Sequence, residues 1–158
     1  MLRSLLMLLC ACLAEVAHAQ NWPSFRGPNA VGVAESKTLP KNWNVDKAEN
    51  LLWKTAIPGL GHSCPIVWGN RIFVTTAVSA DSSAFQTQTR SNMPVAESAK
   101  YSWRLYCLDK QSGRIIWQKI AHEGEPRVKR HLKASHANAA PVTDGKHVVA
   151  LFGSEGLF

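Results

Sequence analysis

The sequence is short of cysteine, of acidic residues and of long apolar runs, and each shortage excludes something. Four cysteines occur in 158 residues, and Cys10 and Cys12 fall in an N-terminal leader. Cys64 and Cys107 remain, which allows one disulfide and rules out a disulfide scaffold. The chain must therefore hold itself together by packing. Eleven Asp and Glu face 18 Lys and Arg, a formal charge of +7. That mild excess permits an anionic partner and does not demand nucleic acid. Past the leader, no apolar stretch reaches the roughly 20 residues of a membrane-spanning helix. No segment there repeats its apolar residues at helical spacing, and no tract is of low complexity. What the chain does have is 46% hydrophobic residues, six Trp, ten Gly and eight Pro, a composition that is not that of a disordered chain and can bury a core.

Residues 1–19 read as a secretory signal peptide. Met1-Leu2-Arg3-Ser4 is the basic start, Leu5 to Ala14 the apolar centre, and Ala17-His18-Ala19 the cleavage site. Cleavage is expected after Ala19, which places the mature protein in the periplasm or outside the cell. Arg3 and Glu15 leave together, so the charge is unchanged.

Residues 20–50 are rich in Pro, Gly, Asn and Trp and read as an irregular, aromatic-pinned segment. From residue 51 the chain turns to short β-branched and aromatic runs separated by turn residues. Strands are expected at Leu51–Ile57, Cys64–Val67, Arg71–Val78, Tyr101–Leu108, Arg114–Ile120, Ala140–Thr143 and His147–Phe152. The runs repeat. Pro65-Ile66-Val67-Trp68-Gly69-Asn70-Arg71-Ile72-Phe73 aligns with Pro141-Val142-Thr143-Asp144-Gly145-Lys146-His147-Val148-Val149. Trp53 aligns with Trp117, and Arg104-Leu105-Tyr106 with Gly156-Leu157-Phe158. Four antiparallel strands per repeat, with length differences confined to connections, describe a β-propeller blade.

Direction then sorts the loops, because antiparallel neighbours alternate. The turns at Trp68-Gly69-Asn70, Asp109–Gly113 and Asp144-Gly145 fall at one end of the blade. The long segments 79–102 and 121–138 fall at the other, which is where a ligand is expected. Cys64 and Cys107 fall on the first and third strands of one blade, roughly 9–10 Å apart, beyond the about 7 Å that a disulfide spans. Two free, buried thiols are expected.

Tyr106-Cys107-Leu108-Asp109 followed by Ser112-Gly113-Arg114-Ile115-Ile116-Trp117 resembles the signature of PQQ-type, quinoprotein-like β-propeller repeats. Asn21-Trp22-Pro23-Ser24-Phe25-Arg26-Gly27-Pro28-Asn29 and Gly61-His62-Ser63-Cys64-Pro65-Ile66-Val67-Trp68-Gly69 resemble a secreted bacterial branch of that family. The resemblance covers nearly the whole mature chain and implies an all-β, PQQ-like propeller over residues 51–158. Such propellers have about seven or eight blades. One full four-stranded blade, residues 64–120, and parts of others are visible, so an N-terminal fragment of a longer propeller is expected.

The resemblance implies that Trp53 and Trp117 dock between adjacent blades. Pro65, Pro141, Gly69, Gly145, Asp109 and Gly113 mark structural positions of the repeat. No catalytic, cofactor-binding or metal residue is legible. The mature chain has no vicinal cysteine pair and no carboxylate and amide cluster for Ca²⁺, so PQQ and Ca²⁺ would need a site supplied by further blades. The binding face is assigned to His62, Arg127, Lys129, Arg130, His131, Lys133 and His136, as a surface for an unknown protein or a small anionic ligand; nucleic acid is not expected, because the chain is read as exported and its basic residues gather mainly on one loop. The function expected is an exported binding or scaffold module. The alternatives are the N-terminal part of a PQQ-dependent dehydrogenase, or an envelope assembly factor.

Overall fold

A computed structural model describes residues 20–34, 39–81 and 98–158. Residues 1–19, expected to be a signal peptide, and most of the insert after Ser79 lie outside the described residues. Strands β1 (Ile66–Trp68), β2 (Arg71–Ser79), β3 (Tyr101–Asp109) and β4 (Ile115–Gly124) form one antiparallel sheet in chain order. Strands β5 (Val142–Thr143) and β6 (Val148–Val149) form a second, two-stranded sheet. Among the described residues there is no α-helix, only short 3-10 turns at Pro28–Ala30 and Gly153–Glu155. None of the described helical turns is long and apolar enough to cross a membrane.

The sheet is the expected four-stranded unit, with bounds shifted by identifiable causes. β4 runs four residues past Ile120, because a bulge between Trp103 and Arg104 resets the register. Trp103 then pairs with His122, and Tyr101 with Gly124. β1 starts at Ile66 rather than Cys64. Leu60 pairs with Ala77 through two 3.0 Å backbone hydrogen bonds. The chain then leaves the ladder from Gly61 to Pro65, and Pro65 has no N–H to donate.

Leu51–Ile57 is not a strand. It joins the sheet by side chains instead: the Trp53 indole N–H donates to Lys110 O at 2.9 Å, and Thr55 Oγ1 to Gly113 O at 2.7 Å. Strands β5 and β6 are shorter than the expected Ala140–Thr143 and His147–Phe152. Pro141 again lacks a donor, and beyond Val149 the chain pairs with Gly156–Phe158 instead.

The two repeats share their register residue by residue. Ile66 faces Phe73 and Val67 faces Ile72; at the aligned positions Val142 faces Val149 and Thr143 faces Val148. Thr75 faces Leu105, and at the aligned positions Leu151 faces Leu157. Val74 faces Tyr106, as Ala150 and Phe158 exchange two 2.9 Å hydrogen bonds. One connection is residues 80–100 and the other only Gly153–Glu155.

The second repeat lies over one face of the main sheet. Ala150, Phe152 and Ala137 pack on Ala77, Tyr101 and Trp103. Nearer the other end Val148 meets the Ile66, Phe73 and Cys107 cluster, joined by Leu105 and Trp117. Trp103 is fully buried and Phe152 nearly so, each stabilising the fold by about 1.5–3 kcal/mol through area removed from water. The N-terminal segment bridges the two sheets. Trp22 exchanges hydrogen bonds of 2.7 and 2.9 Å with Val67, and Thr143 N donates to Pro23 O at 2.9 Å.

Candidate functional site

The register places Trp68, Arg71, Asp109 and Ile115 at one end of the main sheet, and Ser79, Tyr101 and Gly124 at the other. At the first end the turns are locked by hydrogen bonds. Asp109 Oδ1 accepts from the backbone N–H of Gln111 and Ser112 at 3.1 and 2.8 Å, and from Ser112 Oγ at 2.7 Å. Its other oxygen accepts from the Asn70 amide. These donors, Ser112 above all, hold the Asp109 carboxyl below the usual range. Asp144 repeats the device. Its Oδ1 accepts from Lys146 N at 2.8 Å and His147 N at 2.7 Å, while His147 Nδ1 lies 3.1 Å from Oδ2. The His147 N–H is the largest cause of a carboxyl held far below its ordinary value.

The glycines at this end admit aromatic rings. Gly113 has φ +71° and Gly145 φ +90°. A methyl group would overlap the Trp53 ring at Gly113 and the Trp68 ring at Gly145. Gly69, at φ +56°, has open space around it, and its N–H donates to Asn21 Oδ1 at 2.8 Å. Pro65 is exposed and Pro141 buried. Trp117 lies 6.0 Å from Phe73 between ring centres, along a cleft of about 610 Å³ between the two sheets.

The other end divides the basic set that the sequence groups together. Lys129, Arg130, His131 and His136 line one cavity of about 530 Å³. Arg130 is buried, with its Nη1 donating to Ala134 O at 3.0 Å and Leu132 O at 3.5 Å. His131 Nδ1 accepts from the Lys133 backbone N–H at 3.1 Å. The His136 ring meets Tyr101 edge-on, 4.8 Å between centres. Lys133 is exposed and does not line the cavity. The exposed His62 does not line it either, but its backbone N–H donates to Ala137 O at 3.0 Å and Ser135 Oγ at 3.2 Å. The loop carrying His62 is thereby fixed to the cavity wall.

Arg127 turns away to Glu155, a residue that sequence reasoning passes over. The Glu155 side chain is 1% exposed. Its Oε1 accepts from Arg127 N at 3.0 Å and Ser154 Oγ at 2.8 Å. Its Oε2 lies 3.6 Å from both His122 Nε2 and Arg127 Nε. The only local signal is an acid inside a four-residue Gly-Ser-Glu-Gly bend. Cys64 and Cys107 are unbonded thiols, but only Cys107 is buried as expected; Cys64, which precedes β1, is half-buried. Burial pushes the Cys107 thiol up, with Arg71 partly opposing. Among the described residues no group of three or more His, Cys, Asp or Glu is placed to hold a metal ion.

Comparison of the chain with protein-family models, with curated proteins and with solved structures finds no match.

Proposed function

We propose that this chain is an exported PQQ-like β-propeller repeat protein, acting as a binding or scaffold module through the long-loop end of its blades. Two observations support the repeat reading: the shared register of the two hairpins, and Trp53 seated on the Asp109–Gly113 turn of the next unit. In this reading the four-stranded sheet is one blade and β5–β6 begins another.

The observation that carries the binding role is the contrast between the ends. At one the turn carboxylates are saturated by backbone and amide donors; the other gathers Lys129, Arg130, His131 and His136 around a cavity of about 530 Å³, within the roughly 300–1,000 Å³ of small-molecule sites.

The test uses the full chain expressed with its leader in a bacterial host. The mass of the envelope-located protein is expected to begin at Gln20. A photoreactive residue at position 133 is expected to give adducts in cells, and one at position 70 none. Equal labelling from both positions, or retention of the leader in the cytoplasm, overturns the proposal.

A further inference from the structure

We infer that the long-loop cavity binds a small amphipathic anion, an organic carboxylate whose head meets Lys129 and His131 and whose apolar body lies on Leu151 and Val128. This names the ligand class of the face proposed above and rests on that reading.

Charge is the first argument. Lys129 and Arg130 line the cavity and no Asp or Glu does. The nearest acid along the adjoining bend, Glu155, is buried against His122 and Arg127. Lys129 forms no ion pair among the described residues, so its charge is uncompensated there. Arg130 is fixed by the carbonyls of Leu132 and Ala134. It contributes a positive field more than a free hydrogen-bonding fork.

The second argument is the state of His131. Its Nδ1 accepts from the Lys133 N–H, so in the neutral ring the proton sits on Nε2. The ring therefore offers a donor, suited to a carboxylate oxygen, rather than a lone pair. A charge-assisted bond to an oxyanion is about twice as strong as a neutral one.

The wall supplies the third. Val128 is 60% and Leu151 45% exposed at the cavity, next to buried Phe152. A bare inorganic oxyanion leaves that surface wet, whereas a short alkyl chain covers it. The site is also built in advance. Ser135 Oγ donates to Asn138 Oδ1 at 3.0 Å while accepting from Ala137 N at 3.1 Å, which holds the wall without a ligand.

Titration calorimetry of the full chain with hexanoate, hexan-1-ol and inorganic phosphate tests the assignment. Hexanoate is expected to bind roughly tenfold or more tighter than either of the others. Lys129→Gln and His131→Phe are each expected to weaken it about tenfold, and Leu151→Ser somewhat less. Lys129 and His131 are exposed, so these variants keep the fold, which far-ultraviolet circular dichroism verifies.

Equal binding of hexanol removes the charge argument and overturns the inference. So does equal binding of phosphate, which removes the apolar one, and so does hexanoate binding that both variants leave unchanged. If hexanoate fails to bind while position 133 still gives adducts, this inference falls and the binding face stands. If both fail, the functional reading falls with it.

Discussion

At the tight-turn end, Asp109 and Asp144 lie near the surface, and Oδ1 of each is spent on donors two and three residues away, with Asn70 of the neighbouring turn adding a bond to the other oxygen of Asp109. At the long-loop end, Glu155 is buried and reaches Arg127, 28 positions earlier in the chain. The two surface carboxylates close local turns that form as soon as the chain bends. The buried one ties the segment after β4 to the bend after β6, and has meaning only when both repeats are folded. The carboxylates of one end thus act mainly within their own turns, while that of the other acts only between distant segments.

The largest way to break this contrast is Trp103→Ala, which empties the packing shared by β3 and the second repeat. A loss of about 3–5 kcal/mol is expected in urea unfolding. Hydrogen exchange should rise first around Ala137 and Phe152, with the Asp109 turn protected longest. Uniform loss of protection removes the distinction between the ends.

Next comes a pair of glycines at the tight-turn end. Gly113→Ala meets the Trp53 ring as well as a positive φ and should cost about 2–3 kcal/mol. Gly69→Ala meets only the positive φ, for about 1 kcal/mol. Equal midpoint shifts in urea mean that Trp53 does not rest on this turn.

Glu155→Gln keeps the shape and removes the charge facing His122 and Arg127. A loss of about 1–2 kcal/mol is expected, with faster exchange at the Arg127 amide and no change at Ser112. Unchanged exchange at Arg127 shows that Glu155 is not the tether.

The smallest effect belongs to Asp109→Asn with Asp144→Asn. Both carboxyls are held low in the fold. Their contribution is complete above the unfolded value of about 3.9 and is lost as pH falls through the lower folded values. The thermal midpoint of the unaltered chain should drop below about pH 4, and the double variant should drop less. Parallel curves would mean the turns are not held by these charges.

The strands from Arg71 to Ile120 were legible because β-branched and aromatic runs alternate with Asx and Gly turns, which are local signals. The end of β4 was not, because it depends on Tyr101 and Trp103 finding partners after a bulge. Leu51–Ile57 has a strand's composition and even its alternating burial. It lacks a ladder partner among the described residues, which composition alone does not reveal. At the candidate site, neighbourhood in sequence grouped Arg127 to His136 correctly as one loop, but could not tell which side chains share a cavity. Lys133 and Arg127 leave it, and Glu155, far along the chain, decides where Arg127 goes.

The matched hairpins have a practical meaning for protein engineering. Residues 80–100 and Gly153–Glu155 both join strands whose pairing is in the same phase. The ladder therefore does not read the connector's length, since closing a longer loop costs little more than closing a short one. The longer connector is a replaceable cassette: a foreign peptide inserted between Ser79 and Tyr101 would be displayed at the ligand end without re-phasing the strands beneath it, whereas Gly153–Glu155 must keep Glu155 against Arg127.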